Sequence, residues 1–148
     1  MNTRTYLGQI KRFDDMIALK QREIAMQDEM LCSTQPTAMN PDKVQSSMVG
    51  DKMSDGIAKL VDAKREMEKF IEFYIMQKST IVKQIESMPD IKSYNVLYRK
   101  YVLHESDKEI GSELNYTTRR ISQLHQKALR EFESKYYDEY KDSVGVFL

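Results

Sequence analysis

The sequence predicts an all-α protein in which a long antiparallel helical hairpin, similar to a coiled coil, precedes a C-terminal helix-turn-helix domain. Three observations predict this fold. The 148 residues include only 5 Gly and 3 Pro and no Trp, which leaves few turns for a many-stranded fold. Two long stretches repeat apolar residues at heptad spacing. A later stretch carries two helix-start signals on either side of a tight turn.

The first predicted helix covers about residues 3–31. An apolar residue recurs there at every seventh position, at Ile10, Ile17, Ile24 and Leu31. This is the spacing of a coiled-coil seam. The stretch from about residue 32 to residue 50 is rich in Ser, Thr, Asn and Pro, which break helices and form turns. We therefore expect a linker there that lets the chain reverse direction.

The second predicted helix, about residues 54–88, has the most regular apolar spacing in the chain, and only Lys64 and Lys78 interrupt it. A helix of this length, with a rise of about 1.5 Å per residue, spans roughly 50 Å. It needs a partner along its length, because isolated helices are weakly stable. The first helix is the expected partner, in an antiparallel hairpin that makes residues 1–88 the first domain. The surplus apolar face leaves open whether a homodimer through the coiled coil adds further cover.

Residues 89–135 are predicted to form the helix-turn-helix domain. Ser106 and Glu109 have the spacing of a capping box, which starts a short helix. Asn115 tolerates the left-handed conformation of a tight turn, and Thr117 is a good N-cap for the next helix. Two short helices joined by about three residues cross at a steep angle. Gly111 is expected where these two helices approach each other.

The remaining boundaries follow from composition. The predicted hairpin ends before Pro89, because the residue that precedes a proline disfavours helix. Residues 136–148 are rich in Tyr, Asp and Glu and are assigned to a separate aromatic-acidic tail. Three interpretations of this tail stay open: it folds back onto the hydrophobic face, it frays, or it binds a partner.

The outer face of the second short helix carries polar and cationic side chains, with some on its flanks. They are Thr118, Arg119, Arg120, Ser122, Gln123 and Gln126. Such side chains suit the major groove of double-stranded DNA, because Arg pairs with guanine, Gln with adenine, and Ser or Thr with several base edges. Phosphate contacts, which position a protein without base recognition, are expected from Thr117, Lys108, Lys127, Arg99 and Lys100. His125 is expected on a flank of this helix, beside a phosphate or in solvent.

The charge distribution supports DNA as the partner only locally. The formal net charge is 0, whereas DNA-binding domains are often basic overall. From residue 91 to residue 135, however, nine Lys and Arg stand against six Asp and Glu. The predicted DNA-binding domain therefore has a modest excess of positive charge.

Enzymatic, metal-binding and membrane functions find no support in the sequence. It has no glycine-rich phosphate loop and no Ser-His or Cys-His arrangement beyond chance. Two isolated His and one Cys make no metal-ligand spacing, so neither a metal nor a cofactor is expected. The first ten residues are too polar for a signal peptide, and no apolar run approaches the roughly 18–20 residues that span a bilayer. We expect a non-enzymatic, soluble protein of the cytoplasm.

Four short runs carry a more specific signal. They are VLYRKY at residues 96–101, KEIGSEL at 108–114, RISQL at 120–124 and KAL at 127–129. In this order they resemble the first helix, the "EIG..L" helix and the recognition helix of region 4 of bacterial sigma factors, which binds the promoter −35 element. Two departures stand out: Arg119 replaces the glutamate usual in that recognition helix, and sigma region 2 has no counterpart. The resemblance therefore does not imply a self-sufficient sigma factor.

The layout of the whole chain, a helical N-terminal part followed by a sigma-region-4-like end, is similar to that of small phage-encoded regulators of the ArpU and RinA type. This resemblance implies a sequence-specific transcription regulator, specifically a phage or prophage late-gene activator that acts with host RNA polymerase inside the bacterial cell. An alternative stays open: the chain is a coiled-coil protein-interaction module, and its C-terminal helices are a structural cap.

Overall fold

A computed structural model of the chain describes residues 1–33 and 47–143, and gives only the backbone for residues 47–53. Every regular element in this part of the chain is helical, which confirms the all-α prediction there. The α-helices are α1 (Thr3–Ser33), α2 (Ser47–Glu86), α3 (Ile91–Leu97), α4 (Asp107–Leu114) and α5 (Thr118–Tyr140). A π-helical turn, Tyr98–Val102, follows α3 directly.

The two long helices include the ends of the predicted linker. Residues 32–33 belong to α1 and residues 47–50 to α2, while residues 34–46 lie outside the described residues. The chain divides into two compact units, which differ from the predicted domains. We call Met1–Asp15 together with Ile75–Leu148 the terminal unit, and Met16–Tyr74 the middle unit.

In the middle unit, α1 and α2 make side-chain contacts with each other. Lys64 Nζ donates a hydrogen bond of 2.9 Å to Asp28 Oδ1. The ammonium of Lys20 lies 5.2 Å from the centroid of the Phe70 ring, a distance at which the ring attracts a cation. Later positions in α1 thus meet earlier positions in α2, as antiparallel helices require. A lysine that interrupts the predicted apolar seam is therefore paired with an aspartate of the neighbouring helix.

In the terminal unit, the two ends of the chain share one aromatic core. The ring of Tyr6 stacks on that of Tyr140 with centroids 4.4 Å apart, and Phe132 is fully buried beside both. The Tyr140 hydroxyl and Thr3 Oγ1 share a hydrogen bond of 2.8 Å. Residues 136–140 of the predicted tail thus form the end of α5, and Tyr140 packs onto α1. Residues 144–148 of that tail lie outside the described residues.

Polar contacts add to this core. Asp14 of α1 accepts a hydrogen bond of 2.6 Å from Lys78 Nζ of α2, and its second oxygen lies 2.9 Å from His104 Nε2. Tyr6 donates to Gln84 of α2, which in turn donates to Glu139 of α5. The start of α1 is therefore fixed against both α2 and α5.

Candidate nucleic-acid interface

The first helix of the predicted motif, α4, begins with a complete capping box. The Glu109 amide donates to Ser106 Oγ at 3.3 Å, and the Ser106 amide donates to Glu109 Oε2 at 2.7 Å. The hydrogen bond from the Ser106 backbone holds the pKa of Glu109 below its usual value. The predicted start of this helix is confirmed, and two backbone N–H groups at the helix start have partners.

The turn between α4 and α5 has the predicted conformation. Asn115 adopts the left-handed conformation with φ 58°, and the Tyr116 amide donates to the Gly111 carbonyl at 2.9 Å. A Cβ atom on Gly111 would lie 2.5 Å from the Tyr116 carbonyl oxygen, so only glycine fits without a backbone shift. Thr117 then caps α5, because its Oγ1 accepts a hydrogen bond of 3.2 Å from the Arg120 amide.

A small apolar cluster fixes the orientation of α5 relative to α4 and α3. Its buried members are Val96, Ile110, Ile121 and Leu124, and Leu114 and Tyr116 pack at its edge. Each of the three helices contributes to this cluster, so the three pack as one body. Ile110 of α4 and Ile121 and Leu124 of α5 hold these two helices together. The second helix continues past the predicted domain boundary at residue 135, and α5 ends at Tyr140.

The face of α5 opposite this cluster is exposed and polar. A stripe of exposed side chains recurs at the three- and four-residue spacing of one helix face, at Arg119, Gln123, Gln126 and Arg130. Thr117, Thr118, Arg120 and Lys127 are exposed around it, whereas Ser122 is half-buried. With a rise of about 1.5 Å per residue, the stripe is roughly 16 Å long.

The arginines at the start of the stripe are free of carboxylate partners. Among the residues that the structure describes, neither Arg119 nor Arg120 forms an ion pair, and Arg120 Nη1 makes only a 3.5 Å contact with Gln123 Oε1. Lys127 differs, because its Nζ lies 3.5 Å from Asp90 and 3.6 Å from Glu131. The positive charge available to a phosphate or a base is therefore greatest at the start of α5.

The basic residues outside α5 fall into two groups. Arg99 is half-buried and pairs with Glu105 at 3.2 Å, and Lys100 Nζ donates to Asp107 Oδ1 at 2.5 Å. Lys108 is exposed on α4, with no ion pair in the described part of the chain. Of these predicted phosphate contacts, only Lys108 has a charge that is not already balanced by a neighbour.

The expectation for His125 is wrong. Its side chain is only 6% exposed, and its Nε2 lies 2.9 Å from the Tyr101 hydroxyl. Burial lowers the pKa of His125 to about 4, and burial raises the pKa of Tyr101 to about 12. Both groups are thus neutral at pH 7, and His125 belongs to the packed interior whereas Tyr101 is half-buried. The physical reason is helix periodicity: position 125 is four residues from both Ile121 and Leu129, which are buried.

Two arginines beside the predicted interface were missed. Arg130 completes the exposed stripe of α5, and the same three-four spacing would have identified it. Arg4 lies at the other end of the chain, on the first turn of α1, and no local motif points to it. The structure places both on a groove of about 440 Å³, whose lining residues include Asn2, Arg4, Gln126, Arg130 and Glu133.

No three His, Cys, Asp or Glu side chains in the described residues lie close enough together to hold a metal ion. No helix in the same residues combines the length and the apolar content that crossing a membrane requires. Comparison of the chain with protein-family models, curated proteins and solved structures finds no match.

Proposed function

We propose that this chain is a sequence-specific regulator of transcription that inserts α5 into the major groove of duplex DNA. The observation that carries the proposal is the exposed start of α5, with Arg119, Arg120 and Gln123, where no carboxylate of the described residues pairs with either arginine. Guanidinium and amide groups are the side-chain groups that pair with guanine and adenine edges.

The remaining geometry agrees with this role. The capped turn presents the first residues of α5, and in helix-turn-helix proteins these residues contact the base edges. Thr117 starts α5 and Lys108 lies in the first turn of α4, and both side chains are exposed and available to backbone phosphates. Phosphate contacts of this kind set the position of a protein on DNA, whereas base contacts set its sequence preference.

The likeness to sigma region 4 and to phage regulators makes the proposal more specific. In this form the chain is a phage or prophage late-gene activator that acts with host RNA polymerase, and α1 and α2 form the long antiparallel hairpin that precedes the DNA-binding domain. A homodimer through this hairpin would bring two copies of α5 to one operator.

A second candidate function, a coiled-coil module that captures a protein partner, is favoured by a different observation. Large apolar side chains are exposed on α1 and α2 of the middle unit, and they are Leu19, Met26, Met30, Ile57, Val61 and Phe73. In this alternative, α3, α4 and α5 are a structural cap, and the arginines of α5 are solvated surface residues.

Selection from a random pool of duplex DNA separates the two candidates. The wild-type chain is compared with the Arg119→Ala/Arg120→Ala variant and with an Arg22→Ala/Arg65→Ala control. The control removes the same charge from exposed positions of the middle unit. We expect the wild type and the control to enrich one motif, and the α5 variant to lose it with unchanged helicity. Each lost bidentate base contact costs about 1–3 kcal/mol of discrimination.

The enriched motif also tests the homodimer. Two inverted half-sites about one helical turn apart, or a multiple of it, are expected for a dimer, and a single half-site is expected for a monomer. Equal enrichment by the wild type and the α5 variant would contradict the role of α5. Absence of any enriched motif, with and without RNA polymerase, would favour the protein-interaction module instead.

A further inference from the structure

The groove beside the recognition stripe combines cations from distant parts of the chain. Arg4 and Arg130 both line it, and neither forms an ion pair in the described part of the chain. Gln126 belongs both to the exposed stripe of α5 and to the lining of the groove. Glu133 is the only acidic residue among the lining side chains. The groove thus has an excess of positive charge and is open to solvent.

The backbone that presents Arg4 is held in place from several sides. The Arg4 amide donates a hydrogen bond of 2.7 Å to Asn2 Oδ1, which caps the first turn of α1. The adjacent Thr3 is buried and shares its hydroxyl hydrogen bond with Tyr140. The ammonium group of Met1 donates to the Lys141 carbonyl at 3.1 Å. A side chain on a fixed backbone loses less conformational freedom when it binds a ligand.

The positive charge of Arg4 acts on His125 of α5. Its guanidinium contributes to the lowered pKa of His125, after burial and Lys100. His125 precedes Gln126 on α5, so the charge of Arg4 lies close to the part of α5 that lines the groove.

The dimensions of DNA indicate which part of a duplex would meet the protein groove lined by Arg4 and Arg130. The stripe from Arg119 to Arg130 is roughly 16 Å long, whereas the major groove is about 12 Å wide. When Arg119 and Gln123 are at base edges, Arg130 therefore lies beyond them. The chemical group on the border of the major groove is the phosphate of the sugar-phosphate backbone, which pairs well with guanidinium groups.

We propose that Arg4 and Arg130 together bind a backbone phosphate of the duplex whose major groove receives α5. The inference rests on the proposed function, and it makes the first turn of α1 part of the DNA interface. It also assigns a role to the contact between the two ends of the chain. Packing of Tyr140 and Phe132 against Tyr6 brings a cation from residue 4 to the recognition helix.

The test is a salt titration of affinity, using the full chain and the duplex selected above together with an unrelated duplex. Arg4→Ala and Arg130→Ala are compared with Arg12→Ala, which removes an exposed arginine of α1 that does not line the groove. Each groove variant is expected to weaken binding to both duplexes by the same factor. Because both arginines contact the same phosphate, each variant is also expected to reduce the slope of log affinity against log salt, by up to about 0.9. Arg12→Ala is expected to change neither quantity.

A variant that is expected to bind DNA more tightly distinguishes loss of a contact from misfolding of the protein. Glu133→Gln removes the acidic side chain of the groove, so tighter binding to both duplexes is expected, and an unfolded protein would not give that result. Equal binding and slope for Arg4→Ala, Arg130→Ala and Arg12→Ala would overturn this inference while the role of α5 stands. An unchanged slope with a loss confined to the selected duplex would mean a base contact, and would also overturn it. Failure of the wild type to bind either duplex would overturn both proposals.

Discussion

The terminal and middle units contain segments of the same two long helices, yet they differ in how much apolar surface they bury. Sixteen hydrophobic side chains among the described residues of the terminal unit are buried. In the described residues of the middle unit, Met67 and Tyr74 are the only buried hydrophobic side chains. The difference has a simple cause, because in the terminal unit α3, α4 and α5 add further layers to the two long helices.

The middle unit shows what a heptad pattern does without those layers. Leu19, Met26 and Met30 of α1 are 59%, 65% and 56% exposed. Two paired helices cover one stripe on each other and leave the outer apolar positions in water. Heptad spacing therefore specifies that these segments are helices, but a third layer decides how much of their apolar surface is buried.

The largest expected difference between the units is in the cost of truncating an apolar side chain. Phe132→Ala removes a fully buried ring from the aromatic core of the terminal unit. Such changes lower the free energy of unfolding by about 3–5 kcal/mol. Leu19→Ala in the middle unit removes an exposed side chain, and surface changes usually stay within about 0.5 kcal/mol. Urea unfolding followed by circular dichroism measures both values.

Measuring the unfolding of Leu19→Ala at several protein concentrations tests the homodimer. If a second copy covers the exposed face of the middle unit, Leu19→Ala will cost more than an exposed position should. Its midpoint of unfolding will then depend on protein concentration, as that of a dimer does. A small cost that is equal at all concentrations would show that Leu19 stays in water.

The next largest effect is a pH dependence that belongs to the terminal unit. Burial keeps the pKa of His125 at about 4, well below its usual value of 6.5. The unfolded chain therefore takes up this proton first, so the stability is complete above about pH 6.5 and falls towards pH 4. The shift corresponds to about 3 kcal/mol over that window. His125→Gln should remove this part of the pH dependence, whereas an identical slope in the variant would contradict the burial of a neutral imidazole.

The local features of the site could be predicted because each depends on a few neighbouring residues. Ser106, Glu109, Asn115 and Thr117 stand where the capping box, the left-handed turn and the N-cap were expected. These signals are hydrogen bonds within three or four positions, and such bonds can be recognised from spacing alone. The start of α3 has the same kind of signal in Asp90, which caps it through a 3.1 Å bond from the Lys92 amide, yet this one was overlooked.

Contacts between distant residues could not be predicted in this way. Nothing near Arg4 indicates that α1 packs beside α5, because that contact depends on aromatic side chains at the far end of the chain. Ion pairs between α1 and α2 are an intermediate case. Asp14 and Asp28 are fourteen residues apart, as are Lys64 and Lys78, so an antiparallel register would have paired them. His125 was misplaced because a polar residue type outweighed its position on the buried stripe.

The smallest expected effect compares one substitution at two glycines. Outside the backbone of its own helix, Gly56 of α2 in the middle unit has no described atom within 4 Å of an added Cβ, whereas a Cβ on Gly111 of α4 would meet the Tyr116 carbonyl oxygen at 2.5 Å. Gly56→Ala should therefore stabilise the chain by up to about 1 kcal/mol, because Ala is the better helix former. Gly111→Ala should destabilise it by about 1–3 kcal/mol, since an overpacked backbone contact outweighs that gain. Urea unfolding of both variants measures the difference. Two gains of equal size would show that the turn between α4 and α5 can relax, and the orientation of the recognition helix would then depend on the apolar cluster alone.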